Sequence, residues 1–190
     1  MSASKRSGRD LVTAALFAAV IALTTAYLFH IPVPTGYIHL GDAFLYLAAS
    51  LLPLPYAVAA ASLGAGLADL LTYPAWALPT LLIKAAVALL FTSRGETFLC
   101  RRNVLALFGA AVLSPTAYGV ACVAMTGTAL SFWPQFAATF IQAAANVVAY
   151  PVIAPALDSA HMKARLRGAE KNNRPFSITE TGRCRLIFSC

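Results

Sequence analysis

Thirteen of the fourteen lysines and arginines fall in three polar stretches, residues 1–9, 94–102 and 161–185. Lys84 alone lies inside an apolar run. This confinement of charge constrains the fold more than any motif does. Backbone carried into hydrocarbon must satisfy its own hydrogen bonds, which long apolar segments do by forming helices. Charged residues make up only 11% of the 190-residue chain, against about 25% in an ordinary soluble domain. The formal charge of +7 therefore reads as a loop asymmetry that sets membrane orientation, and not as a nucleic-acid-binding face. The expected class is an all-α, multi-pass membrane protein.

The apolar segments follow in order. The first span, Asp10 to about His30, is long enough to cross about 30 Å of hydrocarbon at about 1.5 Å per residue. A loop from His30 to Gly41 contains Pro32 and Pro34. Apolar segments then run over Asp42–Leu52, Tyr56–Leu71, Trp76–Thr92, Val104–Met125 and Phe132–Leu157. The segment Asp42–Leu52 is short for a crossing, and a re-entrant hairpin is conceivable. Parity favours six spans, because only then do all three basic stretches share the cytoplasmic side with both termini. The chain divides into a basic N-terminus (1–9), a transmembrane domain (10–158) and a basic tail (159–190) expected to be unstructured. Pro115, Pro134 and Pro151 predict kinks or breaks, and Trp76 and Trp133 mark outer helix ends.

Charges islanded in apolar sequence are costly, so Asp42, Asp69 and Lys84 are the first candidates for function. Asp42 follows Gly41 at the start of the second segment, where it can serve as an N-cap. Asp69 and Lys84 lie on consecutive antiparallel helices and can form a structural ion pair, or can face a polar ligand. Gln142 and Asn146 are four apart, hence on one face of the last span, at a depth similar to Lys84. His39 reads as an interfacial loop histidine or a ligand contact, and Tyr73, Trp76 and Tyr150 as stacking partners or packing. Ala14, Ala18 and Ala22 form a ridge of small residues, with Ala15 and Ala19 beside it, on which another helix can approach closely.

Other chemistries lack their residues. There is no Gly-x-x-x-x-Gly-Lys-Ser/Thr loop for ATP, no Gly-x-Ser-x-Gly elbow and no His-Glu-x-x-His zinc motif. Cys100, Cys122, Cys184 and Cys190 have no metal-ligand spacing. No cofactor, metal or enzymatic activity is expected.

His39-Leu40-Gly41-Asp42, the glycine-rich segment ending in Asp69-Leu70-Leu71, and Pro79-x-x-x-Ile83-Lys84 together resemble the substrate-binding S components of energy-coupling factor (ECF) transporters. The likeness is to the riboflavin-type branch and its relatives, over residues 10 to about 158. It implies a subunit in a prokaryotic plasma membrane that binds a vitamin or heterocyclic precursor from outside. Its partners would be a transmembrane T component and two ATPase subunits. It also implies that Ala14, Ala18 and Ala22 dock the T component, and that His39, Lys84, Gln142 and Asn146 lie near the substrate, to which the islanded charges Asp42 and Asp69 are added as candidate contacts. Two other readings remain. One is a stand-alone ion- or proton-coupled carrier using Asp69 and Lys84, against which the lack of an inverted repeat counts. The other is an assembly protein in which the polar groups are only interhelical glue.

Overall fold

The computed structural model describes residues 3–28, 31–33 and 36–164. The expectation of an unstructured tail over 165–190, with Cys184 and Cys190, lies outside the described residues, as does His30. Six apolar helices are present: α1 (Ala3–Ala26), α2 (Gly41–Leu51), α3 (Leu54–Thr72), α4 (Ala77–Leu90), α5 (Arg101–Thr126) and α6 (Phe132–Ser159). Four of them, α1, α3, α5 and α6, are long and apolar enough to cross a membrane. A short antiparallel ribbon, β1 (Ile31–Val33) and β2 (Gly36–Ile38), lies in the α1–α2 connection, where sequence suggested only a loop.

Punctuation follows local chemistry. Leu52 precedes Pro53 and is held extended, as the proline ring requires of its predecessor. Pro55 sits in the first turn of α3, where no amide hydrogen is needed. Pro134 likewise falls in the first turn of α6 instead of breaking it, while α5 and α6 continue through Pro115 and Pro151. Gly127 ends α5 with φ at +71°, a left-handed cap that glycine adopts without penalty. α1 begins within the polar N-terminal stretch, at Ala3, earlier than the hydropathy suggested.

α3 is the centre of the packing, flanked by α1 on one side and α4 on the other. Its small residues permit this. A Cβ built on Gly64 would lie 2.7 Å from the Ala18 carbonyl oxygen and 3.0 Å from the Ile21 side chain. Ala14 and Ala22 are buried, and Ala18 is half-buried against Gly64. The ridge expected to dock a partner is therefore spent largely inside the molecule. The face left open on α1 carries Ala15, Leu16, Ala19, Val20 and Leu23.

The short α2 has a geometric cause. It holds 11 residues, about 16 Å at the usual helical rise, and cannot cross hydrocarbon alone. Its start is bonded to Asn146, some 14 residues into α6, so α2 begins near the middle of the bundle. The α1–α2 connection occupies the depth above it, with β2 running against α6. The segment Asp42–Leu52 is thus a short apolar helix that starts beside α6, next to the described part of the α1–α2 connection.

The opposite end, rich in basic residues, is tied down. Tyr46 and Phe91 stack in the core with their rings 4.9 Å apart, and Tyr150 meets both edge-on. Tyr150 Oη donates to the Phe98 carbonyl at 2.8 Å, and Asn103 Nδ2 donates to the same oxygen at 3.0 Å. Lys163 Nζ reaches the Thr97 carbonyl at 2.6 Å and lies over the Phe98 ring. Residues 159–164, assigned from sequence to a loose tail, are anchored to the α4–α5 loop by this lysine.

Candidate functional site

The site begins with the first turn of α2. Its exposed amides would normally want a cap from the preceding residue, yet Leu40 supplies none. Gly41 N–H donates to His39 Nδ1 at 3.0 Å, and Ala43 N–H donates to Asn146 Oδ1 at 2.8 Å. Asn146 Nδ2 in turn donates to the His39 carbonyl at 2.8 Å and the Gln142 carbonyl at 2.9 Å. One fully buried carboxamide on α6 thereby fixes both the loop and the helix start.

With the amides capped by others, Asp42 is free for a different task. Its Oδ2 accepts from Lys84 Nζ on α4 at 2.7 Å, with both side chains buried. Gln142 Nε2 lies 3.3 Å from the same oxygen and 3.0 Å from His39 Nε2. The carboxylate also sits in the positive field of its own helix start. Lys84 Nζ lies 5.3 Å from the centroid of the Tyr118 ring on α5, within the range of a cation–π contact.

A second cluster adjoins the first. Thr80, one turn before Lys84 on α4, donates to Asp69 Oδ2 on α3, and its hydroxyl lies 2.7 Å from Tyr118 Oη. Tyr118 therefore joins the clusters, with its ring under Lys84 and its hydroxyl on Thr80. The buried hydroxyls of Tyr46 and Ser114 have no hydrogen-bond partner among the described residues. Tyr46 is one turn beyond Asp42 and Ser114 one turn before Tyr118. No group of three or more histidines, cysteines or acids forms a metal-holding cluster among the described residues.

The polar network is thus enclosed within an apolar bundle. Residues 5–164 match the family model of the ECF-type riboflavin transporter, S component. The chain belongs to this S-component family. Comparison with individually curated proteins gave no match. The family is one of transporter components and not of enzymes, and it agrees with a transmembrane, multi-pass role in vitamin uptake.

In this S component, His39, Asp42, Lys84, Gln142 and Asn146 meet at one place, and Asp69 stands in the adjoining cluster. Three sequence expectations are corrected. Lys84 takes Asp42 as its ion-pair partner in place of the expected Asp69, because α2 starts deep enough to meet it. Asp42 is no N-cap, since His39 and Asn146 supply those acceptors. His39 is no interfacial residue; it is 5% exposed, carried inward by the inserted loop. Trp76 packs on Tyr118, Tyr150 serves the basic-end core, and Tyr73 is exposed.

Sequence reading missed Thr80, Tyr118, Gln135 and Thr139. Signals were present for three of these. Thr80 is four residues from Lys84, and Gln135, Thr139, Gln142, Asn146 and Tyr150 repeat at spacings of three and four. All five of those α6 residues are buried, and Gln135 Nε2 donates to Thr139 Oγ1 at 3.2 Å.

The ion-pair assignment predicts a specific rescue. Lys84→Ala leaves the Asp42 carboxylate buried and unpaired, and should cost about 3–5 kcal/mol in thermal unfolding of the detergent-solubilised protein. Adding Asp42→Asn should recover most of that loss, whereas adding Asp69→Asn should not. Recovery by Asp69→Asn instead would reassign the pair.

Proposed function

We propose that this S component is the substrate-capture subunit of a vitamin uptake transporter. It takes a riboflavin-type heterocycle from outside and passes it inward by ATP hydrolysis on partner chains, a transmembrane T component and two ATPase subunits. The observation that carries this reading is the convergence of His39, Asp42, Lys84 and Gln142, from the α1–α2 connection and three helices, on one buried locus. The buried polar stripe Gln135–Thr139–Gln142 on α6 leads along one helix face to this locus. Membership of a transporter-subunit family supports this reading over a stand-alone carrier.

Gln142 is the cleanest probe of the site, because Asn146 also holds the fold of the loop. Purified protein should bind riboflavin, read by quenching of flavin fluorescence. Gln142→Ala should weaken binding at least about tenfold, equivalent to about 1.4 kcal/mol, in protein that still unfolds cooperatively although at a lower temperature, since its contact with Asp42 is lost. Absence of riboflavin binding by the folded parent protein would refute the substrate class. Undiminished affinity in Gln142→Ala would remove that residue from the site.

The six helices support a topology in which both termini and the α4–α5 loop are cytoplasmic. Cys100 is buried and makes a poor reporter, but Glu96 is exposed. A Glu96→Cys protein in a Cys100→Ala background should be labelled by an impermeant maleimide only after cells are opened. Labelling in intact cells would reverse the orientation.

Partner docking is proposed for the open face of α1. Ala19→Leu adds bulk to an exposed face and should reduce co-purification of the T component without lowering thermal stability. Ala18→Leu, against Gly64, should instead destabilise the isolated subunit by about 1–3 kcal/mol through overpacking. Normal assembly by Ala19→Leu would move the docking surface off this face.

A further inference from the structure

A chamber lies at the basic end, remote from the polar network. It encloses about 550 Å³ between the start of α1, the α2–α3 turn, the end of α4 and the start of α5. Its wall is of two kinds. Leu52, Leu54 and Phe91 give an apolar floor, and Arg9, Arg94 and Arg102 bring three guanidinium groups from separate elements. Asp10 is the one carboxylate among the described lining residues, so positive charge is in excess. Arg9 is half-buried in the wall, and its Nε makes no hydrogen bond that would tie the side chain elsewhere among the described residues. The planar guanidinium suits a phosphate taken in two parallel hydrogen bonds.

We propose that this chamber binds an anionic phospholipid, its headgroup phosphate between Arg9, Arg94 and Arg102 and its glycerol and first acyl carbons on the apolar floor. A free phosphate has no use for Leu52 and Phe91, whereas an amphiphile matches both halves of the wall. Exposed Leu11 and Val12 stand within a turn of Arg9 on α1, and Leu54 is exposed on α3. They extend the apolar floor onto the lipid-facing surface, giving the acyl chains somewhere to lie. Basic pockets between helices at the membrane surface recognise anionic headgroups on the same physical grounds.

The test is native mass spectrometry of the full chain released from bilayers of phosphatidylcholine and phosphatidylglycerol in equal parts. One phosphatidylglycerol should stay bound at collision energies that strip phosphatidylcholine. Arg102→Gln, at an exposed position that leaves the fold intact, should lower phosphatidylglycerol retention about fivefold, and Arg9→Gln by a similar factor. Inorganic phosphate at the same concentration should not displace the lipid. Equal retention of both lipids, unchanged retention in the Arg9→Gln/Arg102→Gln protein, or displacement by inorganic phosphate would each overturn the proposal. The readout is lipid retention, so it stands apart from any result on vitamin binding.

Discussion

The ion pair between Asp42 and Lys84 sets the terms for the rest of the bundle. Two charges withdrawn from water are tolerated only when each meets the other and the remaining lone pairs and protons find partners. Here Gln142 approaches the carboxylate, the helix start adds its positive field, and the Tyr118 ring receives the ammonium. Those partners come from α2, α4, α5 and α6, so the pair holds four helices at one depth. It also explains the odd proportions of α2. A helix that must present its first turn to Lys84, midway along α4, has to begin there, and the chain before it has to fold inward. His39 and Asn146 then cap amides that would otherwise be stranded in an apolar interior.

Much of this architecture was legible because hydropathy and helical period act locally. Six apolar segments became six helices, and the polar spacing along α6 points to one face whatever packs on it. The identity of the lysine's partner was not legible in the same way. Asp69 and Lys84 belong to neighbouring antiparallel helices, so proximity in sequence favoured them. The contact that forms is between α2 and α4, which are not consecutive, and depends on an inserted loop whose depth no periodicity encodes. Asp42 was similarly disguised. A residue after glycine at a helix start has the local chemistry of a cap, and only the distant Asn146 relieves it of that duty.

The alanines of α1 illustrate a different limit. Ala14, Ala18 and Ala22 repeat every four residues, and so do Ala15 and Ala19 on the adjacent line. Period alone gives two equivalent small-residue stripes and no reason to prefer one for an external partner. Gly64 decides between them from another helix, because its missing side chain lets the Ala18 backbone approach and draws the first stripe inward. The second stripe stays on the surface by default. Small residues in a membrane protein thus mark close approach without saying whether the approaching helix belongs to the same chain.

The two ends of the bundle differ in how they are closed, and this gives the polar network a direction. At the basic end the α4–α5 loop is held through its backbone: Asn103 takes the Thr92 amide and carbonyl, Asp158 takes the Phe98 amide, and Tyr150, Asn103 and Lys163 take carbonyls from Thr97 and Phe98. Opening that end would strand several buried polar groups at once, each at a cost of about 1–3 kcal/mol. At the other end the closure is a connecting segment whose described anchors to α6 centre on Asn146 and Gln142. On the function proposed above, a ligand arriving there would replace the hydrogen bonds it breaks, because Gln142 and Asn146 would hold the loop and the ligand in turn, and local opening would cost least at that end.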